Sequence, residues 1–517
     1  MYNNEGNALG NKAASCQNTF DAKSNPPIPH IMSTNTNNKN DGMFTLADGK
    51  SVLFTFALVS SLFLLWGFCN GMIDVMDKHF QDELHLTKSQ SAWVQFAHYF
   101  GYFLMSVPAG WLASKLGYKG GIITGLLIVS LGGLWFIPAT GIQELAKAGN
   151  VSPTLAFVGF LVGVCTIASG LTFLETIANP YTTVLGNPKF SATRINLAQS
   201  ANGIGWIFGP VVGSIYFYSK NEQGVSTGSQ TLYIPYVAIA VVAFLLGVVF
   251  FFARMPDVKA EDDYHLDDNA AVAARSIWTH PHFVLAVMAQ FFYVAAQAGI
   301  FSFFINTMIS DPKSGFTMVP AIPESWNESM NWLASHTTWW QYMHDWLLGW
   351  FEPKSGRLCI SDKGAANLLS VGFVCFVTGR FVGTALVKKF SASTTLGMFA
   401  VANVIACLLI VLNLGWVSVV CVFLTFFFMS LMFPTIFALG IFGLGSRAKR
   451  ASSFIVMAIM GGAILPKLMG YVGDTYNMSR SYLVPMACFA FVAIYGFCWP
   501  MLSKAGAANG IKTSGGH

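Results

Sequence analysis

The stretch PTLAFVGFLVGVCTIASGLTFLETIANP, residues 153–180, decides the fold: 28 residues with one ionisable side chain, Glu175. The hydrocarbon core of a bilayer is about 30 Å thick, so about 20 mostly apolar helical residues cross it. A barrel strand shows only about ten residues of alternating pattern, and this run is continuous. The segment therefore reads as a membrane-spanning helix with a carboxylate inside it.

Working outward, runs of the same kind recur near 51–76, 89–113, 119–138, 193–218, 231–253, 281–310, 362–388, 393–412, 415–440, 449–473 and 481–503. With 153–180 they make twelve, which predicts an all-α integral membrane protein. Composition agrees: of 517 residues, 54% are hydrophobic and 10% charged, where a soluble domain carries about a quarter charged. The net charge of +5 is spread over loops without a dense basic patch, which argues against a nucleic-acid partner. Nine cysteines are scattered, several inside apolar runs (Cys165, Cys375, Cys407, Cys421), and read as small buried residues. Residues 1–50 are polar and Asn/Ser-rich with no apolar core near Met1, so they read as a disordered cytoplasmic tail rather than a signal peptide.

Two irregular segments divide the chain. A charged connector, 254–280 (Glu261, Asp262, Asp263, Asp267, Asp268), separates a six-helix half at 51–253 from a second at 281–503, with a tail at 504–517. Residues 311–361 form an insertion rich in Trp (Trp326, Trp332, Trp339, Trp340, Trp346, Trp350), read as a short amphipathic helix at the outer interface or, functionally, a lid or partner surface. Lysine and arginine in short loops set orientation. With the N-terminus cytoplasmic, the inner loops hold Lys115, Lys119, Lys189, Arg194, Arg254, Lys259, Arg275, Lys388, Lys389, Arg447, Lys449 and Arg450, and the short outer loops only Lys78, Lys88, Lys147, Lys220 and Arg480. Both termini are expected inside.

The halves echo each other. Gly110-Trp-Leu-Ala-Ser-Lys115-Leu-Gly117-Tyr-Lys119 after the second span has a worn counterpart in Gly383-Thr-Ala-Leu-Val-Lys388-Lys389 after the eighth. Pro180 pairs with Pro434 at an offset of 254, and Pro210 with Pro466 at 256. Matching breaks in matching helices mark a duplicated transporter whose site lies at the midplane between repeats.

Ionisable groups inside hydrocarbon cost about 2.5–3.5 kcal/mol or more, so each is a site candidate. Asp74, four residues after Asn70, shares its helix face; near the outer surface it could also simply be hydrated. Glu175 shares a face with Asn179. A carboxylate in a dry site suits taking up and releasing a proton near neutral pH. Asn196, Gln199 and Asn202 form one stripe in the fifth span; Gln290, Tyr293 and Gln297, followed by Asn306, form another in the seventh. Amides and phenols offer the neutral donors and acceptors that sugar hydroxyls need, or they tie helices together at about 0.6 kcal/mol per bond. His98 fits a hydrogen-bonded packing role or a proton relay, and Lys467 fits snorkelling near Asp474. Neither a phosphate-cradling GxxxxGK[ST] loop nor an HExxH metal motif is present, so the protein is expected to be no enzyme and to need no cofactor beyond a coupling proton.

Gly170-Leu-Thr-Phe-Leu-Glu175-Thr-Ile-Ala-Asn179-Pro180 with Arg194-Ile-Asn196-Leu-Ala-Gln199 resembles the fucose permease branch of the major facilitator superfamily. So do Ala289-Gln290-Phe-Phe-Tyr293-Val-Ala-Ala-Gln297, Pro434-Thr-Ile-Phe-Ala-Leu-Gly440 and Ser452-Ser-Phe-Ile-Val-Met457, and the 110–119 loop looks like the superfamily's loop signature. The resemblance runs from about 51 to 503. It implies two pseudo-symmetric six-helix halves, alternating access in a bacterial inner membrane, and uptake of a monosaccharide, L-fucose first, by proton symport. It also implies that Asp74 and Glu175 serve substrate binding and proton coupling, that Asn202 lines the cavity, and that the transporter works as a monomer in the lipid bilayer. Related glucose/galactose carriers often lack the fourth-span Glu, so Glu175 favours L-fucose. Asn70-Gly71 in place of a paired Asn, His98 in place of an aromatic, and the Trp-rich insertion depart from the branch and leave the exact sugar open. Two other functions stay in view: a glucose/galactose carrier with sodium or no coupling, and a non-transporting sugar sensor.

Overall fold

The computed structural model describes residues 42–46, 49–187, 191–218, 228–256, 277–309, 317–320, 350–354, 357–387, 389–444 and 448–507. The helices of the first half are α1 (Leu53–Glu83), α2 (Lys88–Ser91), α3 (Trp93–Leu134), α4 (Phe136–Lys147), α5 (Pro153–Val184), α6 (Ser191–Tyr216), α7 (Gly228–Thr231) and α8 (Tyr233–Phe252). In the second half come α9 (Pro281–Ser302) and α10 (Phe304–Met308), then a hairpin of β1 (Phe351–Lys354) and β2 (Arg357–Ile360). They are followed by α11 (Asp362–Val387), α12 (Ala392–Val411), α13 (Trp416–Met429), α14 (Met432–Ile441), α15 (Ala448–Met457), α16 (Gly461–Thr475), α17 (Met478–Ser481) and α18 (Leu483–Ala507).

Among the described residues, ten stretches are long and apolar enough to cross a membrane. Helical segments 93–116 and Ser191–Tyr216, both diluted by polar residues such as Gln95, His98, Arg194 and Gln199, are consistent with the expected twelve. The 110–119 loop is tighter than expected: helical geometry lapses only at Gly117, whose φ of 69° suits glycine and turns the chain between two crossings. α1 runs seven residues beyond its expected end and so carries Asp77 inside the bundle. Large apolar side chains such as Phe244, Leu245, Phe251 and Phe252 point outward along α8, as lipid contact requires.

Most of the connector, and Trp326, Trp332, Trp339, Trp340 and Trp346 of the insertion, lie outside the described residues, so the amphipathic-helix reading falls there too. The closing part of the insertion is the β1–β2 hairpin, paired Phe351 with Ile360 through Lys354 with Arg357.

One packing plan serves both halves. In the first, α1 packs along α6, and α3 along α5 and α8; in the second, α9 packs along α16, α11 along α13, and α12 along α18. Lipid tails supply no hydrophobic drive between helices, so close backbone approach through small residues does the work. Gly67 and Gly71 of α1 face Gly205 and Gly209 of α6, two GxxxG pairs in register; a β-carbon on Gly67 would lie 2.0 Å from Asn202 O, and one on Gly205 2.3 Å from Leu64 O. In the second half a β-carbon on Gly461 would lie 2.0 Å from Phe291 O.

The bundle has two ends. At one, called here the Lys88 end, the halves are joined by polar contacts. Asp474 accepts hydrogen bonds from the backbone N–H of Lys88 (3.0 Å) and Ser89 (2.9 Å), satisfying amides at the start of α2. Asn306 and Gln81 exchange side-chain hydrogen bonds (2.6 and 3.3 Å), Ser214 donates to Asn367 (3.0 Å), and Lys78 approaches Asp362 (3.8 Å). At the opposite, Arg194 end, the named contacts stay within the first half and the segment just before it. Arg194, fully buried, donates to the carbonyls of Thr182, Met43 and Asn187, and Lys119 donates to Ala253 O.

Candidate functional site

Between these ends an aromatic layer closes the midplane on the Lys88 side. Trp206 of α6 meets Phe373 of α11 and Phe301 of α9 edge-on, at centroid distances of 4.8 and 5.5 Å, and Phe301 stacks on Phe426 at 4.6 Å. Each ring of that first contact comes from a different helix, and the two halves meet there.

Beyond it, toward the Arg194 end, polar side chains of both halves are only partly covered: Tyr99, Glu175, Asn179 and Gln199 from the first, Gln297 and Arg380 from the second. The fourth- and fifth-span residues are tied together, with Gln199 Nε2 donating to Asn179 Oδ1 at 3.0 Å and Asn179 Nδ2 to Glu175 O at 3.0 Å. These bonds orient the two amides one helical turn from Glu175. Tyr99 touches the second half: its ring lies against Gly462 of α16, where an added β-carbon would stand 2.4 Å from Tyr99 Cε2. Tyr102 accepts from Trp66 Nε1 at 2.7 Å and also neighbours Glu175. The result is a patch of hydroxyls, amides and indole with one carboxylate, suited to a polyhydroxylated solute.

The other predicted residues divide. Asp74 is buried and accepts from Gln95 Nε2 at 3.3 Å, which replaces the picture of a merely hydrated group near the surface. Asn70 is buried on the same face, its Oδ1 without a partner. Asn202 spends its Nδ2 on Phe63 O at 3.3 Å, tying α6 to α1. Tyr293 is fully buried and donates to Met429 O at 3.0 Å, and Gln290 is fully buried with neither amide atom paired. Asn306 belongs to the Lys88 end, bound to Gln81, not to the midplane. Asn196 lies in α6, and its side chain is outside the described residues. His98 is buried and packs its ring on Tyr99 and Tyr102, both at 5.0 Å. Lys467 sits over the Trp93 ring at 4.2 Å, while Asp474 is engaged by α2 instead.

Two groups escaped the sequence reading. Arg380 lies deep in α11, donates from Nε to Ser430 O at 3.4 Å, lies over Phe376 at 5.3 Å, and acts on Tyr293. The signal was an arginine inside the apolar run 362–388. Asp77 is fully buried and accepts from the same Gln95 nitrogen at 3.4 Å. With both oxygens on one nitrogen, two full charges would stand about 6 Å apart and repel by about 3 kcal/mol at an effective dielectric of about 20. Its signal was the spacing of three from Asp74, hidden because the span was ended at 76.

Comparison with known proteins fits this architecture. Residues 54–465 match the Major Facilitator Superfamily. The L-fucose-proton symporter of Escherichia coli is 32% identical over 464 residues, which cover 86% of this chain and 93% of that protein. The glucose/galactose transporter of Brucella abortus is 29% identical over 448 residues, covering 86% and 94%. Among solved structures, the major facilitator superfamily transporter FucP in its outward conformation shares 33% identity with a TM-score of 0.59, covering 87% of this chain and 99% of that one. This chain is a multi-pass membrane protein of the major facilitator superfamily.

Proposed function

We propose that the protein is a proton-coupled monosaccharide transporter, with L-fucose as its sugar, working by alternating access. The observation that carries this reading is Glu175, half-buried in the middle of α5 one turn from the bonded Asn179–Gln199 amide pair, where polar side chains of both halves stay only partly covered. A carboxylate there is the group whose proton occupancy can differ between two access states, and the neutral donors around it match sugar hydroxyls. The similarity to an L-fucose-proton symporter over most of both chains supports the choice of sugar and ion.

The loop charges assign the Lys88 end to the outside and the Arg194 end to the cytoplasm, with both termini inside a bacterial inner membrane. On that assignment the bundle is closed to the outside by the Asp474, Asn306, Asn367 and Asp362 contacts. The halves 51–253 and 281–503 are the bodies that rock about the midplane, joined by the connector at 254–280. One chain supplies both sides of the site, so a monomer suffices.

The test is uptake of labelled L-fucose, D-glucose and D-galactose into proteoliposomes, with and without an inward proton gradient, for wild type and Glu175→Gln. Gradient-stimulated L-fucose accumulation, reduced at least about a hundredfold in Glu175→Gln while exchange remains measurable, is expected. Preference for D-glucose or D-galactose, in line with the Brucella relative, would replace the sugar. Proton-independent uptake in both proteins would remove the coupling assignment.

A further inference from the structure

Asp77 lies one turn from Asp74 toward the Lys88 end, and the two are 0% and 4% exposed. Gln95 Nε2 gives one N–H to each, to Asp74 Oδ1 and Asp77 Oδ2. That leaves Asp74 Oδ2 and Asp77 Oδ1 buried without a partner, and Asn70 Oδ1, farther along the same face, is in the same condition. Around the pair, Gln95 comes from α3; Tyr218, just past α6, gives its hydroxyl to Val75 O (2.7 Å), Tyr236 of α8 to Met76 Sδ (3.8 Å), and Ser302 of α9 to Ala298 O (2.6 Å). None of these is a cation. On α1 itself, Lys78 is occupied by Asp82 and Asp362.

Two buried carboxylates with one shared amide and no counter-charge lack both donors and positive charge. A single proton supplies both, because a protonated carboxyl turns from acceptor into donor while its neighbour stays an anion.

We propose that Asp74 and Asp77 form a proton-sharing carboxyl pair clamped by Gln95, and that Asp77 is a second coupling residue of the transport cycle. This rests on the proton-symport reading and adds to it a residue that the sequence analysis did not assign. Gln81, one turn beyond Asp77 on α1, is bonded to Asn306 of the second half, so parting the halves at the Lys88 end breaks that pair and admits water to this stretch of α1. Loading then moves one proton from water to a carboxylate oxygen; release returns it, and no other bond changes.

The experiment uses the full chain in proteoliposomes with L-fucose as probe. Sugar-evoked proton movement by the wild type is recorded first; its absence would sink the symport reading itself, independently of the pair. Given that movement, the pH profile of fucose exchange is compared for wild type, Asp77→Asn, Asp77→Glu and Gln95→Met. Removing the neighbouring charge in Asp77→Asn is expected to move the midpoint about one pH unit toward acid, tenfold in proton activity, and Asp77→Glu to restore it. Gln95→Met removes the donor that favours the anions, so its midpoint moves toward alkali, and this opposite sign decides the matter even if Asp77→Asn folds poorly. Unchanged midpoints with merely lower rates would make the pair structural. A wild type driven by a sodium gradient, with that drive lost in Asp77→Asn, would make it a metal-cation site; either result overturns the proposal.

Discussion

In the first half, Gly205 lies five residues before Pro210 and lets α6 touch the backbone of α1; in the second, Gly461 lies five residues before Pro466 and lets α16 touch the backbone of α9. Both glycine and proline are repeated 256 positions on. What the two scaffolds hold is different. The first half holds the carboxylates, Asp74 and Asp77 buried and Glu175 half-buried, whereas the second places Arg380, Gln297 and Tyr293 on its side of the midplane. A duplicated frame thus needs the same small residues at its helix crossings, while the side chains facing the cavity are free to divide the work. On the proposed reading, the first half supplies the proton chemistry and the second helps to hold the solute.

The largest effect should come from breaking what the halves share. Gly205→Ala and Gly461→Ala each drive a methyl into backbone atoms that no rotamer change can move, so each helix pair must separate. We expect destabilisation of about 1–3 kcal/mol or more in both, seen as a lower thermal midpoint in detergent and loss of most uptake. If Gly205→Ala were severe and Gly461→Ala silent, the two crossings would not be equivalent and the repeat would stop at the level of sequence.

A smaller and asymmetric effect is expected from what the halves do not share. Arg380→Lys keeps the charge but loses the planar fork that binds Ser430 O and lies over Phe376, so it should lower apparent sugar affinity about tenfold while the proton-to-sugar ratio stays that of the wild type. Glu175→Gln should do the reverse, sparing affinity more than coupling. A changed proton ratio in Arg380→Lys with unaltered affinity would overturn the division of labour.

The comparison also shows what could be read from the chain. The membrane-spanning helical fold, its two halves and the paired prolines were legible because lipid imposes length and apolarity on every crossing, and duplication repeats its breaks at a fixed offset. Glu175 with Asn179, and Gln199 on the fifth span, were legible as polar faces, and the structure joins the Asn179 and Gln199 side chains by a hydrogen bond. Other amides were legible only as polar. Asn202 and Asn306 have the same chemistry as Gln199, but spacing along one helix does not say whether an amide meets a neighbouring backbone carbonyl, as Asn202 meets Phe63 O, or a residue 225 positions away, as Asn306 meets Gln81. Asp77 was lost to a boundary: ending a span by apolarity removes the polar residues that a buried helix end carries.

The last contrast is between the two ends of the bundle, and it predicts the smallest effect. Asp474 holds the halves together by accepting from two backbone amides of α2, with Lys88 Nζ 3.9 Å away; at the other end Lys119 donates to Ala253 O within one half. Asp474→Asn removes the charge and one acceptor but keeps the shape. One weakened contact of this kind is worth about 1 kcal/mol, so the population with the Lys88 end parted should rise about fivefold. Hydrogen–deuterium exchange reads this directly, because the Lys88 and Ser89 amides are protected only while Asp474 accepts from them. Their exchange should quicken by that factor in Asp474→Asn and stay at the wild-type rate in Lys119→Gln, whose lost bond does not cross between halves. Equal acceleration in both variants would mean that loosening either end frees α2, and that Asp474 is not the latch.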